Sequence, residues 1–234
     1  MTTPKGFAVA IDGPVGVGKS TVARQVAEAL NMTYIDTGAM YRAVALYNTK
    51  KAVDLHNQAA VTNSLASINI NLSGKNVFLN GENITQEIRT QAISEGASIV
   101  ASYAPVREKL VAEQKKMAET GEVVMDGRDI GSQVLPWAQV KIYLDATVEE
   151  RAARRAKDLK KKGQPVDINQ LRQEVITRDK RDKTREHSPL IQTPDAIYID
   201  TSNMTQNEVA NCIATHINAA RRKECSIDLQ EGWQ

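Results

Sequence analysis

The segment from Gly13 to Ser20 constrains the fold of this chain more than any other. It reads GPVGVGKS and matches the pattern G-x-x-x-x-G-K-[ST], in which a glycine-rich loop surrounds a phosphate group. The short apolar run Phe7–Asp12 precedes it and suits a buried parallel strand. Apolar residues at helical spacing follow it, namely Val22, Ala23, Val26, Ala27 and Leu30. Strand, loop and helix in this order predict a binding site for the phosphates of a nucleoside triphosphate.

Each residue type in this loop has its own predicted task. The glycines let the backbone turn around a phosphate without a Cβ atom in the way. Lys19 is expected to reach the outer phosphates, and the Ser20 hydroxyl is expected to ligate Mg²⁺. The residues predicted to contact the donor phosphates are Gly13, Pro14, Val15, Gly16, Val17, Gly18, Lys19, Ser20 and Thr21.

Four further apolar runs end, like the first, in an aspartate. They are Thr33–Asp36, Glu122–Asp126, Val140–Asp145 and Ala196–Asp200. Helical stretches separate them, which predicts an α/β fold with a parallel five-stranded sheet flanked by helices. Ligands of such sheets bind beyond the carboxyl ends of the strands, where these aspartates and the glycine loop lie.

Two segments interrupt this alternation. Residues 65–88 alternate polar and apolar side chains between turn residues, which predicts a small antiparallel meander. Residues 159–166 contain three lysines, a glycine and a proline between two charged helices, which predicts a lid-like connection. We therefore predict a single domain over residues 1–234, with a core at 5–60, 94–150 and 186–220, an insertion at about 61–93 and a helical lid at about 151–185.

The charge of the chain is small in total but unevenly distributed. The net charge is +2, yet residues 151–185 carry 13 Lys and Arg against 5 Asp and Glu. Such a block is compatible with a nucleic-acid patch, a solvated helix face or a clamp on phosphates. The segment contains no aromatic residue for base stacking, which argues against nucleic acid.

The apolar runs are too short to span a bilayer and no leader pattern precedes the first strand, so we expect a cytoplasmic protein without a membrane partner, and a monomer by default.

Two motifs after the second and third apolar runs are candidates for an acceptor site. In DTGAMYR, Thr37 and Gly38 are expected to form a turn, and Arg42 can donate two N–H bonds to a phosphate. In DGRD, Asp126 occupies a position suited to hold Mg²⁺ or its waters. Asp126 can alternatively cap the next helix, and Arg128 with Asp129 can form an ordinary surface ion pair.

The motifs GPVGVGKST, DTGAMYR, VREKL, MDGRDIG and TRDKRDKTREHSPL occur in this order along the chain. Together they resemble the bacterial cytidylate kinases, which are phosphate-loop nucleoside monophosphate kinases, from about Phe7 to Ile217. The meander resembles the acceptor-lobe insertion of that family. The resemblance implies transfer of the γ-phosphoryl group of ATP, with Mg²⁺, to the small-molecule substrates CMP and dCMP.

The resemblance also implies a role for each matched position. The implied acceptor-binding residues are Thr37, Arg42, Ser98, Arg107, Arg128, Asp129, Arg178 and Asp182. Among these, Ser98, Arg107 and Asp129 match the positions that contact cytosine, and Asp182 matches the position that contacts the sugar hydroxyls. The implied catalytic cations are Lys19, Arg128, Arg178 and Arg185. Arg154 and Arg155 match lid arginines over the ATP phosphates, and Ser20 and Asp126 match the metal-binding positions.

The chemistry of cytosine agrees with these roles, and other interpretations stay open. Cytosine offers an N4 amino donor to Asp129, and its N3 and O2 atoms accept from Arg107.

Residues 178, 182 and 185 share a helix face. An alternative interpretation is that this face is exposed and carries ion pairs. Another phosphate-loop kinase, acting on UMP, AMP or shikimate, is the closest alternative function. A nucleotide-dependent switch protein is more distant, because the chain has no Asn-Lys pair for a guanine-binding motif.

Overall fold

A computed structural model of the protein describes residues 6–119, 121–161, 163 and 165–231, with side chains described as far as residue 223. The strands are β1 Ala8–Asp12, β2 Thr33–Asp36, β3 Ile70–Ser73, β4 Asn76–Leu79, β5 Glu82–Asn83, β6 Val123–Gly127, β7 Val140–Asp145 and β8 Ile197–Asp200. The helices are α1 Lys19–Ala29, α2 Thr37–Lys50, α3 Gln58–Ser64, α4 Gln91–Val100, α5 Ala104–Met117, α6 Val148–Lys161, α7 Ile168–Thr184 and α8 Gln206–Glu231. Short 3₁₀ segments lie at Leu65–Ser67 and Glu87–Arg89, and a π-helical segment lies at Ile130–Val134.

Five strands form a parallel sheet in the order β2-β6-β1-β7-β8, which confirms the predicted α/β fold. Strand β1 lies at its centre and is fully buried because it has neighbours on both edges and helices on both faces. Val9 and Ile11 pack with apolar residues of α1 and α8. The smaller Ala8 and Ala10 face the opposite side, where they pack with the 130–135 region.

The register of the sheet aligns the carboxyl ends of three adjacent strands. Asp36 of β2 pairs with Asp126 of β6, and Asp12 of β1 pairs with Gly127. Asp12 also pairs with Tyr143 of β7. The glycine loop after β1 and the polar residues after β2 and β6 therefore meet at one edge of the sheet, as parallel strands require.

The predicted meander is confirmed as an antiparallel three-stranded sheet in the order β3-β4-β5. Asn80 and Gly81 connect β4 to β5 with φ angles of 51° and 86°. Two positive φ values in succession are typical of a tight hairpin turn, for which an Asn-Gly pair is well suited. The apolar face of this sheet packs into one core with residues of α2, α4 and α5.

Helices α6 and α7 lie within the predicted lid at about 151–185 and pack against one another. Of the predicted connection at 159–166, Lys162 and Gln164 lie outside the described residues. Asp167 begins α7 because its carboxylate accepts from the N–H groups of Asn169 and Gln170. Across the described ranges, no helix combines the length and apolar character needed to cross a membrane.

Candidate active site

One cavity of about 290 Å³ opens at the carboxyl ends of the central strands. It brings together residues that are far apart in sequence, from the glycine loop, α2, α4, α5, the segment after β6 and α7. The sequence-predicted residues that line it are Val15, Gly16, Gly18, Lys19, Ser20, Thr21, Thr37, Arg42, Ser98, Arg107, Asp126, Arg128, Asp129, Arg178, Asp182 and Arg185. The structure therefore gathers the whole predicted acceptor set around one space.

The glycine loop has the backbone that its sequence predicts. Gly13, Gly16 and Gly18 have φ angles of 148°, 80° and 93°, which residues with a Cβ atom rarely adopt. Gly18 ends the loop, and α1 begins at Lys19. The backbone N–H groups of the first turn of α1 are thus available to an anion.

Lys19 lies buried inside its own loop. Its Nζ donates to the carbonyl oxygens of Gly13 and Pro14, both at 2.7 Å. Burial and the positive charge of Arg128 lower the pKa of Lys19 well below its usual value, while Asp126 opposes that shift. A phosphate group beside this ammonium would favour its charged form.

Ser20 and Asp126 form the predicted metal-binding pair. The Ser20 hydroxyl donates to Asp126 Oδ2 at 2.8 Å, and the Tyr34 hydroxyl donates to Asp126 Oδ1 at 2.7 Å. Burial and the nearby Asp36 raise the pKa of Asp126, while Lys19 and the two hydroxyl donors lower it. Asp126 lies within β6, and Asp129 occupies the capping position of the helical segment that follows, so the interpretation of Asp126 as a helix cap is wrong.

This pair fits Mg²⁺ by its chemistry. A hydroxyl and a carboxylate are hard oxygen ligands, and Mg²⁺ is usually held by one or two carboxylates together with phosphate oxygens and water. Within the described part of the chain, no cluster of three or more His, Cys, Asp or Glu side chains is placed to hold a metal. An ion held by Ser20 and Asp126 would take its remaining ligands from phosphate oxygens and water.

The start of α2 differs from the prediction. Thr37 and Gly38 do not form a separate turn, because they are the first two residues of the helix. Asp36 caps it by accepting from the Ala39 N–H at 2.9 Å, and its second oxygen accepts from Arg42 Nη2 at 2.9 Å. The Thr37 hydroxyl donates to the backbone carbonyl of Asp126 at 2.7 Å, which connects α2 with β6.

The residues predicted to contact the base form a buried cluster. Arg107 and Asp129 are ion-paired, with side chains only 4% and 6% exposed. The Arg107 guanidinium lies 5.4 Å from the centre of the Tyr41 ring and also donates to the Ala101 carbonyl. Ser98 belongs to the same region, where its hydroxyl accepts from Arg181 Nη1 at 3.2 Å. The surface-pair interpretation of Asp129 is therefore wrong, since its partner is Arg107 in the interior.

A second charged cluster lies on α7 and faces the same cavity. Arg128 Nε donates to Asp182 Oδ2 at 2.8 Å, and Arg178 Nη1 donates to the Ser94 hydroxyl at 3.0 Å. Burial and Arg128 lower the pKa of Arg178 to about 10. Burial alone would raise the pKa of Asp182, but Arg128 and Arg178 hold it below its usual value. The shared face of residues 178, 182 and 185 is thus directed inward, not at solvent.

Arg154 and Arg155 line a second cavity, of about 650 Å³, which shares loop residues such as Gly16 and Gly18 with the first. Arg154 donates to the hydroxyl of Thr201, the residue that follows β8, at 3.0 Å. Arg155 is ion-paired with Glu174 of α7 at 3.0 Å. The same cavity is lined by Thr201, Met204, Thr205, Gln206 and Asn207.

Several residues of the site were not predicted. The segment 201–207 could have been found from its position after the end of β8. Tyr34 carried no signal, because its contact with Asp126 depends on the pairing of β2 with β6. Arg151 likewise carried none: it donates two bonds to Asp179, at 3.0 and 2.6 Å, and one to the Val15 carbonyl at 3.1 Å.

Comparison with known proteins identifies the family. The model of the cytidylate kinase family matches residues 9–219. A cytidylate kinase from Lysinibacillus sphaericus is 48% identical over 213 residues, covering 89% of this chain and 95% of that protein. The cytidylate kinase of Bacillus licheniformis is 47% identical over 224 residues, covering 94% of this chain and 99% of that protein. That of Bacillus velezensis is 49% identical over 213 residues, covering 89% and 95%. This chain therefore belongs to the cytidylate kinase family.

Proposed function

We propose that the chain transfers the γ-phosphoryl group of ATP to CMP, and also to dCMP, giving ADP and CDP or dCDP. The observation that supports this most is that a single cavity is lined both by the phosphate loop and by the buried pair of Arg107 and Asp129. The first feature suits a triphosphate, and the second offers a donor and an acceptor to a nucleobase. Family membership supports the same reaction.

The two cavities provide for two nucleotides. In our proposal CMP occupies the cavity lined by Arg107, Asp129 and Asp182, and ATP occupies the one lined by Arg154 and the segment 201–207. Both cavities include the glycine loop, so the donor and acceptor phosphates would meet beside Lys19 and Ser20. That arrangement suits direct in-line transfer between bound substrates.

The proposed mechanism relies on charge and position. The acceptor oxygen belongs to a phosphate that is already anionic near neutral pH, so the reaction needs no general base. In agreement, no histidine is found among the described residues that line the acceptor cavity. Lys19, Arg128, Arg178 and Arg185 would neutralise the phosphates and hold them in line. Arg42, ion-paired here with Asp36, would add a further donor to the acceptor phosphate.

Ser20 and Asp126 are the residues that would hold Mg²⁺. When bound, the ion supplies positive charge to the phosphates and orients them. Tyr34 and Ser20 occupy one Asp126 oxygen each, so the carboxylate is held in a defined orientation at the end of β6.

Replacing Asp126 by asparagine should raise the Mg²⁺ concentration that half-saturates the reaction, because a neutral amide binds Mg²⁺ more weakly than a carboxylate does. We expect a shift of roughly 10-fold or more, given that hydrogen bonds and contacts to charged groups are worth about 1.5–3 kcal/mol. Activity would be measured across a Mg²⁺ titration at saturating ATP and CMP. Asp54→Asn, in an exposed loop, is the control. An unchanged Mg²⁺ requirement in Asp126→Asn would contradict the assignment of Asp126.

Base recognition follows from the Arg107 and Asp129 pair. Asp129 can accept a hydrogen bond from cytosine N4, and Arg107 can donate to N3 and O2. Uracil presents a donor at N3 and an acceptor at O4, so both protein groups would face the wrong partner. Each buried group left unsatisfied costs about 1–3 kcal/mol, so two mismatches would give a preference for cytosine of roughly 10²- to 10⁴-fold.

The function is tested by measuring ADP release from Mg·ATP with CMP, dCMP, UMP, AMP, GMP or no acceptor. We expect fast turnover with CMP and dCMP, slow turnover with UMP and almost none without an acceptor. Turnover with dCMP depends on Asp182, which would contact the sugar hydroxyls. If its contact with the 2′-hydroxyl is weak, dCMP should also be accepted. Preference for another base, or equal ADP release without an acceptor, would contradict the proposed function.

The remaining sequence-based expectations belong to the same proposal. Helices α6 and α7 would act as the lid at 151–185, and the β3-β4-β5 sheet would form the acceptor-lobe insertion at 61–93. Closure over ATP would exclude water and so prevent hydrolysis without an acceptor. A monomeric state, a cytoplasmic location and the absence of a nucleic-acid partner stay predictions.

A further inference from the structure

Asp12 is a buried carboxylate that no motif assigned to the site. It is the last residue of β1, directly before Gly13, and only 6% of its surface is exposed. Its Oδ1 accepts from the N–H of Ile130 at 2.9 Å, and its Oδ2 accepts from the N–H of Gly131 at 2.8 Å. Both carboxylate oxygens are therefore bound to two successive backbone groups more than a hundred residues away.

The two N–H groups open the π-helical segment Ile130–Val134. The first N–H groups of a helical segment lack partners within it and need an external acceptor. The residue at the usual capping position, Asp129, makes no such side-chain bond. Asp12, on the neighbouring strand β1, accepts from these two N–H groups instead. The Asp129 carboxylate is therefore available for Arg107.

Asp12 is in contact with the chain on both sides of Arg128 and Asp129, which are two of the proposed acceptor-binding residues. On one side, Asp12 and Gly127 are partners in the pairing of β1 with β6. On the other side, the Asp12 carboxylate holds Ile130 and Gly131. Arg128 and Asp129 lie between these two contacts, and Asp12 itself does not line the cavity.

We propose that Asp12 is a positioning residue that holds Arg128 and Asp129 in place relative to the phosphate loop. The inference rests on the proposed function, because the position of Asp129 matters for base selection only if CMP is the acceptor. Because Asp12 is joined directly to Gly13, the same residue sets the distance between the loop that binds the donor phosphates and the segment that reads the acceptor base.

The charge of Asp12 is consistent with this arrangement. Burial raises the pKa of Asp12 to about 6, while the bonds from Gly131 and Ile130 oppose that shift. Asp129 raises the pKa further and Lys19 lowers it. The two backbone N–H bonds therefore favour the carboxylate form against the effect of burial.

The test is Asp12→Asn, which keeps the size of the side chain but replaces one acceptor oxygen by an N–H₂ group facing a backbone N–H. We expect the ratio of kcat/KM for CMP to kcat/KM for UMP to fall by roughly ten- to hundred-fold, since one buried donor loses its partner. The affinity for ATP, titrated without CMP, should change little because Lys19 and the loop glycines are untouched. Asp54→Asn, which also replaces an aspartate that accepts a backbone N–H, is the control.

The ratio of kcat/KM for CMP to kcat/KM for UMP does not depend on the fraction of enzyme that is folded. A purely structural role for Asp12 would therefore leave this ratio unchanged. An unchanged ratio in Asp12→Asn beside an active, cytosine-selective wild type would overturn the inference alone. A wild type without CMP kinase activity would instead overturn the proposed function.

Hydrogen exchange supplies a second measurement that needs only the wild-type protein. The amide hydrogens of Ile130 and Gly131 should be strongly protected without any nucleotide, because Asp12 already holds them. Rapid exchange at both positions would contradict the inference even if Asp12→Asn does not fold.

Discussion

Replacing Arg128 by alanine is expected to lower kcat for CMP phosphorylation by roughly 10²- to 10³-fold, the usual effect of removing a donor aimed at transition-state charge. Arg128 lines the acceptor cavity, and its Nε is held by Asp182 at 2.8 Å. A guanidinium has five N–H donors, so others remain for phosphate oxygens. Removal of Arg128 would also leave Asp182 with less neutralising charge near the incoming CMP. The measurement is steady-state kinetics with Mg·ATP and CMP.

ATP affinity separates this role from a general loss of structure. We expect the dissociation constant for ATP, titrated without CMP, to change far less than kcat does. Arg128→Lys should recover only part of the activity, because an ammonium keeps the charge but not the planar, forked geometry. Arg222→Ala, on an exposed position of α8, is the matched control. Equal losses of kcat and ATP affinity in Arg128→Ala would contradict the assigned role.

The strands were predictable because each is a short apolar run that ends at a polar residue. All five runs of the parallel sheet were found within one or two residues, from Ala8–Asp12 to Ile197–Asp200. The meander was predictable for a related reason, since Asn80 and Gly81 favour a tight hairpin turn. These elements depend on residues that are close together in the chain, and such local patterns are visible in a single sequence.

Side-chain partners were less predictable because they depend on which strands are neighbours. Tyr34 reaches Asp126 only because β2 lies beside β6, and Asp12 reaches Gly131 only because β1 lies on the other side of β6. The order β2-β6-β1-β7-β8 leaves no trace in the periodicity of any one strand. The start of α2 was misjudged for a smaller reason: Asp36 is a good helix cap, so Thr37 can be helical at once.

The basic block at 151–185 shows how structure decides between interpretations of one charge pattern. Composition alone left a nucleic-acid patch, a solvated face and a phosphate clamp open. In the structure Arg151 is buried against Asp179, and Arg178 and Arg185 line the acceptor cavity. Arg181 reaches Ser98. These four arginines are therefore directed inward, which favours a clamp on phosphates over a nucleic-acid patch, while the lysines described in the segment are exposed.

Replacing Asp129 by asparagine is expected to remove most of the preference for cytosine. The asparagine amide can donate to uracil O4, whereas the aspartate can only accept, and it accepts well from cytosine N4. We expect the ratio of kcat/KM for CMP to that for UMP to fall by roughly 10- to 100-fold, because one buried hydrogen bond is lost for one base and gained for the other. The melting temperature should also be measured, since Asp129 is the buried partner of Arg107 and breaking such a pair destabilises a fold.

Asp182→Asn makes the interpretation of that ratio specific. Asp182 is also a buried, arginine-paired carboxylate in the same cavity, but its proposed contacts are with the sugar, which CMP and UMP share. It should therefore lower kcat/KM for both nucleotides by similar factors and leave their ratio unchanged. If Asp129→Asn and Asp182→Asn move the ratio equally, the selectivity arises from the overall charge of the cavity and not from a contact between Asp129 and the base. If only Asp129→Asn moves it, the carboxylate at the start of the π-helical segment is the group that distinguishes the two pyrimidines.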